Sequence, residues 1–191
     1  MDYKEYWNQI FKESEELNSL IHSYWNQYSH FGTWQFWVVV SLLIIPLILL
    51  YFTVDRKRIF EIFFFGYTVH ILWTYAGIAL ERYGYFVHTY FMSPVFPFSI
   101  NMSASALPVG FLLVYQYCTN QNKNFYIYTL LISAFFAFVV TSIEQYIGLL
   151  EFRKGMNHLY IFLIDLVIVL TSYWFTRILL KIKRSVMAAD L

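Results

Sequence analysis

Charged residues are scarce in this chain of 191 residues, because Lys, Arg, Asp and Glu together account for only 13%. A soluble globular domain carries roughly 25%, so an ordinary soluble protein is not expected. The single cysteine, Cys118, excludes an intrachain disulfide. The net charge of +1 provides no bulk electrostatic attraction to nucleic acid, so no nucleic-acid partner is expected.

Apolar and aromatic side chains dominate instead, at 59% and 23% of the residues. A soluble fold of this size could not bury so much apolar surface, whereas a bilayer core is as apolar as the side chains that face it. The composition therefore predicts an integral membrane protein. Its predicted fold class is all-α, a polytopic bundle of membrane helices whose first partner is the lipid bilayer.

Five stretches of the sequence are predicted to cross the membrane as helices, which takes about 20 mostly apolar residues each. The predicted spans are 33–54, 59–83, 98–118, 125–150 and 159–180. The first residues lack the basic stretch and short apolar core of a secretory signal, so the first span should remain uncleaved. The predicted regions are an N-terminal amphipathic helix at 1–32, a transmembrane domain at 33–184 and a C-terminal tail at 185–191.

The distribution of basic residues predicts an orientation, because Lys and Arg favour the cytoplasmic side of a membrane. With the N-terminus outside, eight of the 13 Lys and Arg residues fall inside and five fall outside. The inside residues are Arg56, Lys57, Arg58, Lys123, Arg177, Lys181, Lys183 and Arg184. We therefore expect a multi-pass protein of a cell membrane, with an outside N-terminus and a cytoplasmic C-terminus.

The N-terminal segment at 2–30 has aromatic and aliphatic residues at spacings of three and four, a pattern typical of one face of a helix. The stripe also fits a heptad repeat: Tyr3, Trp7, Ile10, Ser14, Leu17, Ile21, Tyr24 and Tyr28. One interpretation is contact through residues 3–28 with a partner protein or a second copy of the chain. The other is a helix lying in the membrane interface, although its net acidic composition does not suit anionic lipid.

Polar and ionisable residues inside the predicted spans are the candidate functional groups, because such residues are costly in a membrane. His70, Thr74, Gly77 and Glu81 share one face of the second span. Glu81, Asn101, Glu144 and Asp165 all fall in the outer half of their spans, with His70 near mid-depth. The candidate ligand or ion site therefore consists of His70, Glu81, Asn101, Glu144 and Asp165.

We expect these residues to border a polar cavity that opens to the outside, with three carboxylates against Arg82 and His70. Such a cavity would favour a cation or an amine-bearing ligand. The alternative is that the polar residues hold the helices together, since hydrogen bonds between membrane helices contribute about 0.5–2 kcal/mol each. Asp165 is the hardest to explain in this second way, because its sequence neighbours are all apolar.

Motifs of the common enzyme classes are absent from the sequence, including His-Glu-x-x-His, Gly-x-Ser-x-Gly and the phosphate-binding loop. The five histidines, His22, His30, His70, His88 and His158, match no spacing of metal ligands. No catalytic residues, metal or cofactor are therefore predicted.

Several sequence words resemble an uncharacterised family of small polytopic membrane proteins from spore-forming Gram-positive bacteria. These words are YWNQYSHFGTWQFW at 24–37, RYGY at 82–85, PFSINMSASALPVGFLLVYQ at 97–116, NFYIYT at 124–129 and KGMN at 154–157. The resemblance implies a bacterial cell membrane and about five spans, and it implies no activity. Relatives often carry Lys-Gly-Trp where this chain has Lys154, Gly155 and Met156.

Three functions are consistent with these features. The leading one is a non-enzymatic accessory or sensory subunit of the bacterial envelope, which the long amphipathic extension favours. The alternative is a component of an ion or small-molecule transporter or channel, which would have to oligomerise because five spans without an internal repeat are few for a transporter. The third is a membrane-embedded enzyme that modifies lipid.

Overall fold

The computed structural model describes residues 1–189 and contains six helices in that range. They are α1 (Tyr3–Tyr24, extended by a π-helical turn at Trp25–Ser29), α2 (Trp34–Thr53), α3 (Ile59–Arg82), α4 (Leu107–Asn120), a rod made of α5 (Phe125–Ala134) and α6 (Thr141–Tyr146), and α7 (His158–Ala189). Two short strands, β1 (Phe86–His88) and β2 (Leu150–Phe152), pair antiparallel. The all-α class is therefore confirmed, apart from a small two-stranded ladder that the sequence did not suggest.

Four helices in residues 1–189 are long and apolar enough to cross a membrane: Trp34–Thr53, Arg56–Arg82, Phe125–Tyr146 and His158–Val186. They correspond to four of the five predicted spans. The remaining predicted span, 98–118, forms a helix that carries Asn101, Ser103, Ser105 and Gln116 and does not reach the same apolar character.

The long α1 helix begins with a capping box, because the Asp2 side chain accepts from the backbone of the first turn and Glu5 accepts from the Asp2 backbone. None of its residues is buried. Its stripe residues Tyr3, Trp7, Ile10 and Leu17 are 43–72% exposed. The N-terminal helix is therefore formed as predicted, and most of its apolar face touches nothing else in the described chain.

Two π-helical segments interrupt the long helices. Met102–Ala106 precedes α4, and the Leu107 amide reaches five residues back to the Met102 carbonyl. Pro108 follows directly and has no backbone N–H, so the local hydrogen bonds must rearrange there. Phe135–Val140 joins α5 to α6, and the Thr141 amide likewise reaches the Phe136 carbonyl. Such bulges are frequent at functional sites.

An aromatic layer fills the interior near the basic end of the protein. The Phe65 and Tyr115 rings stack with their centroids 4.5 Å apart, and the Phe125 and Tyr173 rings stack at 4.3 Å. The Tyr115 hydroxyl donates to Glu61 over 2.5 Å, and Arg58 pairs with the same carboxylate. This layer joins α3, α4, α5 and α7 into one core.

The sequence misplaces the end of the fourth span. The rod ends at Tyr146 rather than at 150, and Gly148 then takes a φ of 76°. Gly155 also has a positive φ, of 77°, and it lies in the turn that follows β2. The helix ends earlier than predicted because residues 150–152 pair with β1. The apolar run in the sequence gives no sign of that pairing.

The last helix continues beyond its predicted end at residue 180. Residues 185–189 of the predicted C-terminal tail belong to α7, whereas residues 190 and 191 lie outside the described range. Helical backbone can continue here because the segment after residue 180 holds no Gly or Pro to stop it.

Gly66 is required for the close approach of α3 to α4. A Cβ added there would lie 2.6 Å from Leu112 Cδ1, whereas a Cβ at Gly77 on the same helix would meet no atom within 4 Å. We predict that Gly66→Ala destabilises the protein by about 1–3 kcal/mol through overpacking. Gly77→Ala is the matched control and should stabilise α3 by up to about 1 kcal/mol. Thermal unfolding in detergent measures both, and equal shifts would contradict the packing described here.

Candidate functional site

A cavity of about 440 Å³ lies between α3, the start of the α4 helix, the α5–α6 rod and α7. Two π-helical segments contribute to its wall. Met102–Ala106 provides Met102, Ser103 and Ala104 on one side, and Phe135–Val140 provides Phe136 on the other. Phe86 and His88 of β1 and Leu150 of β2 line it as well. The strand ladder therefore covers one end of the cavity.

The structure brings four of the five predicted site residues to this cavity: His70, Glu81, Glu144 and Asp165. Thr74 and Gly77, which share their helix face with His70 and Glu81, line it too. Asn101 does not line the cavity. It is buried nearby, and its side-chain carbonyl accepts a hydrogen bond from Ser99 over 3.2 Å.

Asp165 is the most deeply buried ionisable group of the site, with no exposed surface. Its Oδ1 atom accepts from the Trp73 indole N–H over 2.9 Å. Its Oδ2 atom is buried without a hydrogen-bond partner among the described residues. A buried carboxylate oxygen without a partner costs free energy, so this atom is an unsatisfied acceptor of a residue that lines the cavity.

Glu81 is paired with His88, whose Nδ1 atom lies 2.8 Å from Glu81 Oε1. Both side chains are about one-tenth exposed. The sequence did not indicate His88 as part of the site, and this pairing was not predicted. The two residues are seven apart in sequence and meet only because the chain turns back into β1, whose pairing with β2 fixes the position of His88.

His70 contacts the backbone of the π-helical segment Met102–Ala106. Its Nδ1 atom lies 2.8 Å from the Ser103 carbonyl oxygen, with Thr74 Oγ1 at 3.3 Å. A carbonyl oxygen only accepts hydrogen bonds, so Nδ1 carries the proton in this contact. The Nε2 atom of His70 makes no hydrogen bond among the described residues, whereas Nδ1 is occupied.

Glu144 lies in α6 and is only 5% exposed. None of the hydrogen bonds within residues 1–189 involves its carboxylate, although the side chain lines the cavity. The site therefore contains three carboxylates, of Glu81, Glu144 and Asp165, and two imidazoles. Arg82, expected to share the site, is exposed and does not line it.

Most of the remaining wall is apolar, and two of its side chains reach the protein surface. Ile78 and Phe96 are 39% and 56% exposed, so the cavity opens between α3 and the loop that leads from β1 to α4. Next to this opening, Gly77 leaves free space where a Cβ would meet nothing. The cavity can thus admit an apolar group and place a polar head beside the carboxylates.

Within residues 1–189, no three His, Cys, Asp or Glu side chains stand close enough together to hold a metal ion. The carboxylates of Glu81, Glu144 and Asp165 outnumber the groups that contact them, which are the Trp73 indole N–H at Asp165 and the His88 imidazole at Glu81. No known protein family matches the chain, and neither a curated protein nor a solved structure is significantly similar to it.

Asp165 and Trp73 should respond differently to substitution. Asp165→Asn removes a charge that is costly to bury, so we predict a melting temperature equal to or above that of the wild type. Trp73→Phe leaves both oxygens of Asp165 without a donor, so we predict a loss of about 1–3 kcal/mol. Thermal unfolding in detergent tests both variants. Equal destabilisation by the two substitutions would show that the carboxylate serves only to hold the helices together.

Proposed function

We propose that the chain is a non-enzymatic sensory subunit of a bacterial cell membrane that binds an amphipathic amine in the 440 Å³ cavity. The observation that carries the proposal is the Oδ2 atom of Asp165, which is buried without a partner among the described residues in a side chain that lines the cavity. An ammonium group donates up to three hydrogen bonds and compensates the negative charge. A ligand that donates a hydrogen bond to this oxygen would remove the free-energy cost of burying the oxygen without a partner.

The ligand class follows from the composition of the wall. The carboxylates of Glu81, Glu144 and Asp165 favour a cationic head. The apolar side chains around them, including Ile78 and Phe96 at the opening, suit an alkyl or aromatic body. Ligand sites are commonly apolar clefts of this size with a few polar groups that orient the ligand.

Five spans and an outside N-terminus remain part of this proposal. The helix made of the π-helical segment Met102–Ala106 and α4 packs against both α3 and α5. It would therefore cross the membrane with them, with its polar residues facing the protein interior. Ser105, for example, is fully buried and donates to the Leu43 carbonyl of α2 over 2.6 Å. The basic residues at the opposite end from the strand ladder would then lie in the cytoplasm.

A hydrogen-bonded anchor connects the cavity to the N-terminal helix. Tyr24 donates to the Thr89 carbonyl over 3.0 Å, and Trp25 donates to the Phe91 carbonyl over 3.1 Å. The Ser29 hydroxyl both donates to and accepts from the Phe91 backbone over 2.9 Å. Burial raises the pKa of Tyr24, so its hydroxyl remains a donor. These contacts begin one residue after His88, which lines the cavity, and they would pass a change at the site on to α1.

Transport is the second candidate, and the three carboxylates at one cavity favour it. The buried aromatic side chains between the cavity and the basic end favour binding over transport. Phe65, Phe111 and Tyr115 have no exposed surface, and they fill the interior between the cavity and the basic end. A transporter would have to open this layer in every cycle, whereas a sensor would not.

A series of ligands with one alkyl body and different heads tests the binding site. We predict that octylamine raises the melting temperature of the detergent-purified protein, because a ligand that binds only the folded state stabilises it by about 2.7 kcal/mol at 100 times its dissociation constant. Octanol and octanoate should have much smaller effects. Asp165→Asn should abolish the amine effect, and Gly77→Leu should reduce it by filling the cavity while leaving every carboxylate in place.

The matched control for charge is Glu151→Gln, which removes a carboxylate that is about half exposed on β2 and should retain the full response. Equal stabilisation of the wild type and Asp165→Asn by octylamine would refute the site. Flux of octylamine across proteoliposomes that depends on Asp165 would replace sensing by transport.

The exposed stripe of α1 is proposed to bind a second copy of the chain. The C-terminal end of α1 packs against the rest of the protein, because Tyr24 stacks on Phe91. The segment from Tyr3 to Leu17 is therefore the part that is free to bind a second copy. We predict that Ile10→Ser combined with Leu17→Ser weakens self-association by at least about 100-fold, because each substitution loses about 1.5–3 kcal/mol of apolar burial.

The control for this experiment is Gln9→Ser combined with Glu16→Ser, which alters the adjacent polar face at the same spacing. Light scattering after size-exclusion chromatography gives the oligomeric state of each variant. If the wild type is monomeric, or if both pairs of substitutions have the same effect, α1 does not form the interface between copies.

A further inference from the structure

A second depression, of about 650 Å³, lies at the opposite end of the protein from the cavity. We call it the basic groove. Its wall comes from the start of α3, the turn between α4 and α5, and the C-terminal half of α7. The charged residues that line it are Arg58, Glu61, Lys123, Arg177 and Arg184.

The only carboxylate of the groove within the described residues is already neutralised. Glu61 pairs with Arg58 and accepts from the Tyr115 hydroxyl over 2.5 Å. Arg58 donates further to Thr119 over 2.9 Å and to Asn120 over 2.5 Å. Arg58 and Glu61 are therefore fixed parts of the wall, and they contribute no net charge.

The other three cations of the groove make no such contacts with the residues that the structure describes. Within residues 1–189, none of the hydrogen bonds or ion pairs involves the side chains of Lys123, Arg177 or Arg184. The Arg177 guanidinium lies 6.0 Å from the centre of the Tyr173 ring, a contact with the ring face that leaves its N–H groups available. Three uncompensated cations around one depression create a strong local attraction for an anion.

Apolar and aromatic surface continues from the rim of the groove along α5 and α7. Trp174 and Tyr126 are 52% and 46% exposed, and the Trp174 indole donates to the Tyr126 hydroxyl over 3.3 Å. Ile127 and Ile178 are also more than half exposed. Trp and Tyr are enriched where a protein meets lipid headgroups, so this surface suits acyl chains that run down from a head held in the groove.

We infer that the basic groove binds the phosphate of an anionic phospholipid, with its head against Lys123, Arg177 and Arg184 and its chains along the exposed surface of α5 and α7. Basic pockets between membrane helices are known to hold anionic lipid heads in this way. The inference is independent of the amine site, which lies beyond the aromatic layer.

The test is the melting temperature of the full chain in dodecyl maltoside as dioleoyl phosphatidylglycerol or dioleoyl phosphatidylcholine is added. We predict that phosphatidylglycerol stabilises the wild type and that phosphatidylcholine, which has no net charge, has a much smaller effect. Arg177→Gln combined with Arg184→Gln should weaken the apparent affinity for phosphatidylglycerol by about tenfold or more. These side chains are exposed, so the variant should fold.

The matched control is Lys181→Gln combined with Lys183→Gln, which removes the same charge from the same helix outside the groove and should retain the response. Lys123→Gln provides an independent variant on the other wall and should weaken binding as well. Equal losses in the two pairs of substitutions would overturn the inference, because general attraction to a basic end would then explain the effect. Stabilisation by inorganic phosphate to the same extent would also overturn it, in favour of a site for free phosphate.

Discussion

The hydrogen bond between the Trp73 indole and the Asp165 carboxylate is the contact around which the candidate site is organised. It joins α3 to α7 in the interior, where a carboxylate can be kept only if its acceptors find donors. One oxygen has its donor, at 2.9 Å, and the other has none among the described residues. Asp165 shares this incomplete satisfaction with the buried hydroxyls of Thr129 and Ser133, but it differs from them because it is a carboxylate and lines the cavity.

Several other buried polar residues find their hydrogen-bond partners in backbone carbonyls. Ser172 and Thr176 of α7 are buried, and their hydroxyls donate to carbonyls one turn back, over 2.8 Å in both cases. Ser105 likewise donates to a carbonyl of α2. The hydroxyls of these residues already donate to backbone carbonyls, so they have no unpaired donor to offer a ligand. The cavity differs because its carboxylates meet apolar walls, two imidazoles and an indole, which together provide too few donors.

Much of the fold follows from the sequence, because apolar runs of about 20 residues and their charged ends mark the helices directly. The convergence of His70, Glu81, Glu144 and Asp165 could also be anticipated, since helical spacing and shared depth bring such residues to one level. The Glu81–His88 pair could not, because it depends on a three-residue strand whose partner lies more than 60 residues away. Asn101 does not line the cavity, because its side chain is buried beside it and accepts a hydrogen bond from Ser99.

We propose that the cavity beside Asp165 holds the cationic head and the apolar body of one ligand. The most direct measurement is photolabelling of the full chain with an alkylamine that carries a diazirine in its chain, followed by mapping of the labelled peptides by mass spectrometry. The account predicts labels on the cavity-lining segments 70–81, 96–107 and 136–165, suppressed by excess octylamine and lost in Asp165→Asn. Labels spread evenly over the exposed apolar surface of α2, or unchanged in Asp165→Asn, would contradict it.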